Sequence, residues 1–312
     1  MTLQVKKYFI FCALILVSSL GLSQTTTFTA YGAPYWFGTT NALAEDTLNS
    51  ILHFQYSCNC GVGPGNQWST FNQRNVLNNA TLTPVYYGPL GVRYISKDLL
   101  AHNNRIYVND RDYLTARTAP SYTPQNWVYN AIVPEKIMAS TQRNDTLFVI
   151  KDDGSNCNSL LLINANTGAT LTYSTVNCVS SGKGTIFGEV IKMKAAGSKL
   201  YLVGAFYYDN ASFVTVDTNA VAIDIPTGNV IQLNLGVNDT IHDIEIYNNK
   251  IHVAGSFTQA RGQIRNRYAA YNTSLNLLSG TPSFNARVKD IEVHDHFLFA
   301  NGDFNVINGN SI

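Results

Sequence analysis

His242-Asp243-Ile244-Glu245-Ile246 and Lys289-Asp290-Ile291-Glu292-Val293 are two copies of one pattern. Each leads through a polar doublet and an apolar strand to a Gly-x-Phe triplet, Gly255-Ser256-Phe257 in one copy and Gly302-Asp303-Phe304 in the other. Asp243 and Asp290, Gly255 and Gly302, and Gly262 and Gly309 are each 47 residues apart, so no insertion separates the copies. Gly204-Ala205-Phe206 preserves the triplet in a third copy. The glycine of such a triplet suits a strand that passes close to neighbouring backbone, and the Phe is expected to fill the space between adjacent repeats.

Working outward, polar doublets recur at Asn103-Asn104, Asn144-Asp145, Gly197-Ser198, Asn248-Asn249 and Asp295-His296. Asn, Asp and Gly tolerate the positive φ of two-residue hairpin turns, so each doublet reads as a hairpin tip. The segments that follow, such as Ile106-Tyr107-Val108, Leu147-Phe148-Val149 and Leu200-Tyr201-Leu202, are β-forming by residue type. A second hairpin per period is marked by Asn164 to Gly168, Asp224 to Gly228 and Asn272 to Asn276. Two hairpins per period make four strands, and Ala42 to His53 is the only candidate for a short helix.

A four-stranded antiparallel unit recurring every 40 to 50 residues or so is the mark of a β-propeller blade. The expected fold is therefore all-β, a propeller with five to six blades visible. A β-solenoid-like array is the alternative. Residues 91–312 carry the repeats, and the last blade is unfinished at Ile312. Either N-terminal strands complete it or the chain is a fragment of a longer protein. Residues 24–90 keep the period poorly and read as a degenerate blade or a cap.

Residues 1–23 have the order of a secretory signal peptide: Lys6 and Lys7, an apolar run from Tyr8 to Val17, then small and polar residues. The run is short for a bilayer span, so no transmembrane segment is expected after cleavage. Without Lys6 and Lys7, 19 basic residues face 20 acidic ones, which excludes the basic footprint of a nucleic-acid binder. Export makes disulfides the default for Cys58, Cys60, Cys157 and Cys178. Cys157 and Cys178 bracket a hairpin and are the favoured pair. A metal site at Cys58 and Cys60, with His53 as third ligand, is the sharper alternative, but it lacks a second zinc-like pair.

The last copies resemble the Gly-x-Phe repeats, delta-60-like or kelch-like, of large secreted bacterial propeller proteins. The match rests on Lys250-Ile251-His252-Val253-Ala254-Gly255-Ser256-Phe257, then Gly262, Arg265 and Ala269-Ala270-Tyr271-Asn272. The leader's Leu-Ser-Gln ending is similar to those of Bacteroidetes-type exported proteins. The resemblance implies a scaffold for surface display, adhesion or recognition, often with a C-terminal sorting domain, and brings no catalytic residues.

His294 and His296 have a metal-ligand spacing but fall on a hairpin tip, and His252 lies mid-strand. Lys151 to Asn156 is an acidic loop without calcium-loop spacing. Asp243, Glu245, Asp290 and Glu292 invite a two-carboxylate glycosidase reading, yet a position repeated in every copy reads as structural. No Walker loop, dinucleotide fingerprint or nucleophile elbow is present, so no cofactor is expected. Sequons at Asn79, Asn144, Asn210, Asn238 and Asn272 fit polar turns. The function expected is a non-enzymatic secreted or cell-surface scaffold binding a protein or glycan. The alternatives are a carbohydrate-active enzyme on the same scaffold and a spacer segment of a larger surface protein.

Overall fold

The computed structural model describes the backbone of the strands from Gln4 onward and, with short gaps, residues 136–171 and 184–311. Side chains are described within those two spans, apart from residues 153, 156, 213, 216 and 294–297, and at Leu100 and Tyr107. All regular structure among the described residues is β-strand. The chain forms two compact units, residues 9–132 and residues 1–8 with 133–312.

After β1 (Gln4–Lys7), the unit of residues 9–132 holds two antiparallel four-stranded sheets. The first contains β2 (Gly38–Asp46), β3 (Ile51–Cys58), β4 (Trp68–Asn75) and β5 (Thr81–Tyr86). The second contains β6 (Asp98–His102), β7 (Arg105–Asn109), β8 (Tyr113–Thr118) and β9 (Thr123–Asn130). Ala42 to His53 is therefore a hairpin and not the short helix expected of it. Ala42, Leu43 and Ala44 pair with Gln55, Phe54 and His53. Sheet pairing overrides a modest helix propensity.

The other unit stacks four sheets in chain order. The first runs β10 (Lys136–Arg143), β11 (Thr146–Asp152), β12 (Cys157–Asn164), β13 (Thr170–Leu171). The second runs β14 (Thr185–Ala196), β15 (Lys199–Asp209), β16 (Thr215–Asp224), β17 (Val230–Gln232). The third contains β18 (Ile241–Tyr247) and β19 (Lys250–Gly255), then the small hairpin β20 (Gln259–Ala260) and β21 (Gln263–Ile264), then β22 (Tyr268–Tyr271) beside β19. Its fourth strand is reduced to the bridge Tyr271↔Leu277. The fourth contains β23 (Val288–His294), β24 (Phe297–Gly302) and the small hairpin β25 (Val306–Ile307) and β26 (Asn310–Ser311). On the outer edge of β24, where β22 lies on β19, β1 pairs in parallel. The first two sheets are not separate, because Cys157↔Phe187 and Asn158↔Ile186 join β12 to the long β14.

Three hydrophobic cores fill the gaps between successive sheets, and each contains one Phe of a Gly-x-Phe triplet. Phe206 packs with Phe148 and Ile150 of the preceding sheet, Phe257 with Tyr201 and Val203, and Phe304 with Ala254 and Tyr268. All three rings are buried. Each triplet glycine lies opposite a bulge in the first strand of its sheet, where the register slips between Val190/Lys192, Ile241/Asp243 and Val288/Asp290. A Cβ on Gly204, Gly255 or Gly302 would stand 2.0, 2.1 or 2.2 Å from the carbonyl oxygen of Glu189, Thr240 or Arg287. The glycine is required by that approach and not by its own φ.

Candidate functional site

Just past each bulge, the first strands carry charge at two alternating positions: Lys192 and Lys194, Asp243 and Glu245, Asp290 and Glu292. Consecutive first strands β14, β18 and β23 are neighbours, so the row runs across sheets. Glu245 accepts a hydrogen bond from Lys194 Nζ at 2.7 Å, tying β18 back to β14. Asp243 Oδ2 accepts the Ile291 N–H at 2.7 Å, tying β18 forward to β23. Burial, and then the Asp290 carboxylate, push the Asp243 pKa well up against the pull of Lys192 and two backbone N–H groups. Burial pulls Lys194 down, but Glu245, joined by Glu292 and Asp243, outweighs it and the ammonium is held above its ordinary range. The row has the residue types of an acid/base site, and its two innermost carboxylates are committed to joining sheets.

The sequence reading set Asn210, Asn238 and Asn272 in polar turns without giving them partners, and it passed over Asn285 and Asp217. Asn238 Oδ1 accepts the N–H groups of Thr258 and Gln259, both at 2.9 Å. Asn285 does the same for Asn305 and Val306 at 3.0 and 2.9 Å. These two Asn residues are also 47 apart, a signal that could have been read. They anchor the small hairpins whose tips, Arg261-Gly262 and Asn308-Gly309, all have positive φ. Asn210 and Asn272 likewise accept backbone N–H groups in turns. Asp217 Oδ2 receives the N–H groups of Leu233 and Asn234 at 2.7 and 2.9 Å.

His252 is 5% exposed, with Nδ1 2.7 Å from the Tyr268 hydroxyl and Nε2 buried without a hydrogen-bond partner. Burial, with Lys250 nearby, pushes its pKa down to about 4 against a weaker pull from the Tyr247 backbone. By strand register its counterparts are Tyr107, Phe148, Tyr201 and Phe299. It is a core aromatic position occupied by an imidazole.

The acidic loop is a turn in which Asp152 Oδ1 accepts the Gly154 N–H at 2.9 Å; Asp153 and Asn156 lie outside the described residues. Cys157 is disulfide-bonded, while Cys178, Cys60, Asp295, His296 and the side chains of His53, Cys58 and His294 also lie outside them. Among the described residues no group of three or more His, Cys, Asp or Glu is placed to hold a metal ion. Among them no helix is long and apolar enough to cross a membrane.

One stretch breaks the repeat. In the third and fourth sheets the chain leaves the strand after Gly-x-Phe and forms the small hairpin. In the second sheet β15 instead continues past Phe206 to Asp209, paired with β14 back to Thr185. Phe187 and Tyr207 face each other across this extension as stacked rings, centroids 5.3 Å apart and 26° between planes.

No family model and no curated protein sequence matches the chain. Solved structures are similar to it. A "putative 6-phosphogluconolactonase" from Bacteroides uniformis ATCC 8492 is 7% identical, with a TM-score of 0.50 over 83% of this chain and 77% of that one. The computationally designed Ika4 protein is 12% identical over 57% and 89%, TM-score 0.35. Sqt1 from Saccharomyces cerevisiae is 10% identical over 66% of each chain, TM-score 0.41. At these identities the first likeness concerns the fold alone, and the other two are too loose to carry weight.

Proposed function

We propose that this chain is a non-enzymatic, secreted or cell-surface β-propeller scaffold that binds a protein or a glycan. The observation that carries this reading is the use made of the repeated carboxylates. Asp243 and Glu245 are buried and engaged with Ile291 and Lys194 of flanking sheets, whereas a glycosidase needs two carboxylates open to one sugar bond. The propeller is supported by face-to-face stacking of successive sheets, each plugged by one Phe. Export is supported by the charge and apolar pattern of residues 1–23 and by the disulfide at Cys157.

The test pairs turnover with location. The full chain is expected to leave a panel of aryl glycosides and polysaccharides intact, and the exported protein to begin near Gln24. Hydrolysis abolished by Glu245→Gln without a change in Tm would overturn the non-enzymatic reading. Retention of the whole chain inside the cell would overturn export.

A further inference from the structure

We infer that the extended β14–β15 hairpin is a saccharide platform, with the Phe187 and Tyr207 rings as the floor on which the C–H face of a neutral sugar rests. This rests on the binding-scaffold reading above and assigns it a site and a ligand class.

The hairpin is the place where the repeat departs from its own pattern. The bulge glycine and the plugging Phe, shared by the second, third and fourth sheets, are accounted for by packing; the extension beyond Phe206 pairs with β12 and sends Ile186 and Tyr208 into a core, but its other face, with Phe187 and Tyr207, enters none of the three cores. Alternation puts Phe206 and Tyr208 into the core and leaves Tyr207 on the opposite side, 44% exposed. Phe187 is half-buried beside it, and cross-strand pairing in register holds the two rings together. Among the described residues three large apolar side chains are exposed, and two of them, Tyr207 and Val214, belong to the extended end of β15 and the turn that follows it. A stacked, rigid, exposed aromatic pair is costly to leave in water without a partner.

The polar surroundings select the ligand. Glu189 lies one pair along on the same face, and Asp209 lies one pair along in the other direction. The Thr215 hydroxyl donates to Asp209 Oδ1 at 2.6 Å. His242, on the neighbouring β18, is within electrostatic reach of Glu189. With a carboxylate on either side of the two rings, this surface disfavours phosphate, sulfate and uronic acids at the rings themselves. It offers carboxylate and hydroxyl acceptors to a ligand rich in O–H donors and an aromatic floor to its C–H face. A neutral oligosaccharide meets both demands.

The experiment titrates cello-, xylo-, manno-, chito- and maltohexaose separately into the full chain by calorimetry. At least one is expected to bind, with affinity falling about three- to tenfold for Tyr207→Ala and again for Phe187→Ala, the scale of one aromatic contact each. Tyr207→Phe keeps the ring and is expected to retain binding, as is the distant surface variant Ile264→Ala. Unchanged Tm values establish that the ring variants are folded. Binding unaltered in both alanine variants overturns the platform and leaves glycan recognition standing. Failure of all five hexaoses to bind overturns the platform, while the protein-binding form of the scaffold reading stands on its own assays. Cleavage of a hexaose that is lost in the ring variants supports the platform and overturns the non-enzymatic reading instead.

Discussion

Replacing Gly255 by alanine tests the steric logic of the repeat at one of its tight points. The new Cβ would lie 2.1 Å from the Thr240 carbonyl oxygen, whereas real Cβ contacts essentially never fall under 3.0 Å. The carbonyl must therefore retreat by about 0.9 Å. That same oxygen accepts the Ser256 N–H at 2.9 Å, so the retreat carries the bond beyond hydrogen-bond reach. A lost buried backbone bond costs about 1–3 kcal/mol, and forcing an extra carbon into packed structure about 1–3 more. The expected loss is about 2–6 kcal/mol, a large share of what holds a typical domain folded. In a unit of this size it corresponds to a fall in Tm of roughly 5–15 °C. The assay is urea and thermal unfolding followed by far-UV circular dichroism. Gly262→Ala is the internal control, because Gly262 has φ of 72° and nothing within 4 Å of its missing Cβ. It should cost only the left-handed backbone penalty, about 1–2 kcal/mol. A Gly255→Ala loss no larger than that of Gly262→Ala would refute the close-approach account of the triplet.

Two further outcomes follow from the cores. His252 has its folded pKa near 4, below the unfolded value near 6.5, so folding disfavours its charged form. Its stabilising contribution is fully present above pH 6.5 and is lost as pH falls through 6.5 toward 4, reaching about 3 kcal/mol. His252→Phe, the residue at the equivalent position 299, should remove that share of the acid sensitivity in unfolding curves at pH 7 and pH 4.5; identical pH dependence in both proteins would sink the assignment. Phe257→Ala should cost about 3–5 kcal/mol by leaving a cavity between sheets, and Phe257→Leu much less. A near-neutral alanine variant in urea unfolding would show that the ring does not plug the gap.

What could be read from the letters were the positions where backbone geometry leaves little choice of residue. Asn248 and Asn249 have φ of 46° and 58°, and Gly197 has 57°, so their hairpin tips announce themselves by residue type. Gly204, Gly255 and Gly302 are readable for a different reason, since any Cβ would strike a carbonyl. The register slip facing them was not legible. A bulge adds one residue to a strand without demanding a particular one, and Ile191, His242 and Lys289 share no chemistry. For the same reason the anchoring role of Asn238 and Asn285 was hidden behind the ordinary turn reading of a polar residue, although their spacing repeats. His252 looked like one more strand residue, because which side of the strand faces the next sheet depends on where the bulge sets the alternation. The carboxylates were read as structural from repetition alone, and their partners Lys194 and Ile291 give the physical cause. The extension that pairs Thr185 to Glu189 with Ala205 to Asp209 is the converse case: it has no counterpart in the third and fourth sheets, so repetition could not interpret it. Repeated positions record what stacking one sheet on the next requires. A feature of exposed aromatic rings that occurs once, with the fold already accounted for without it, is where recognition has room to differ from architecture.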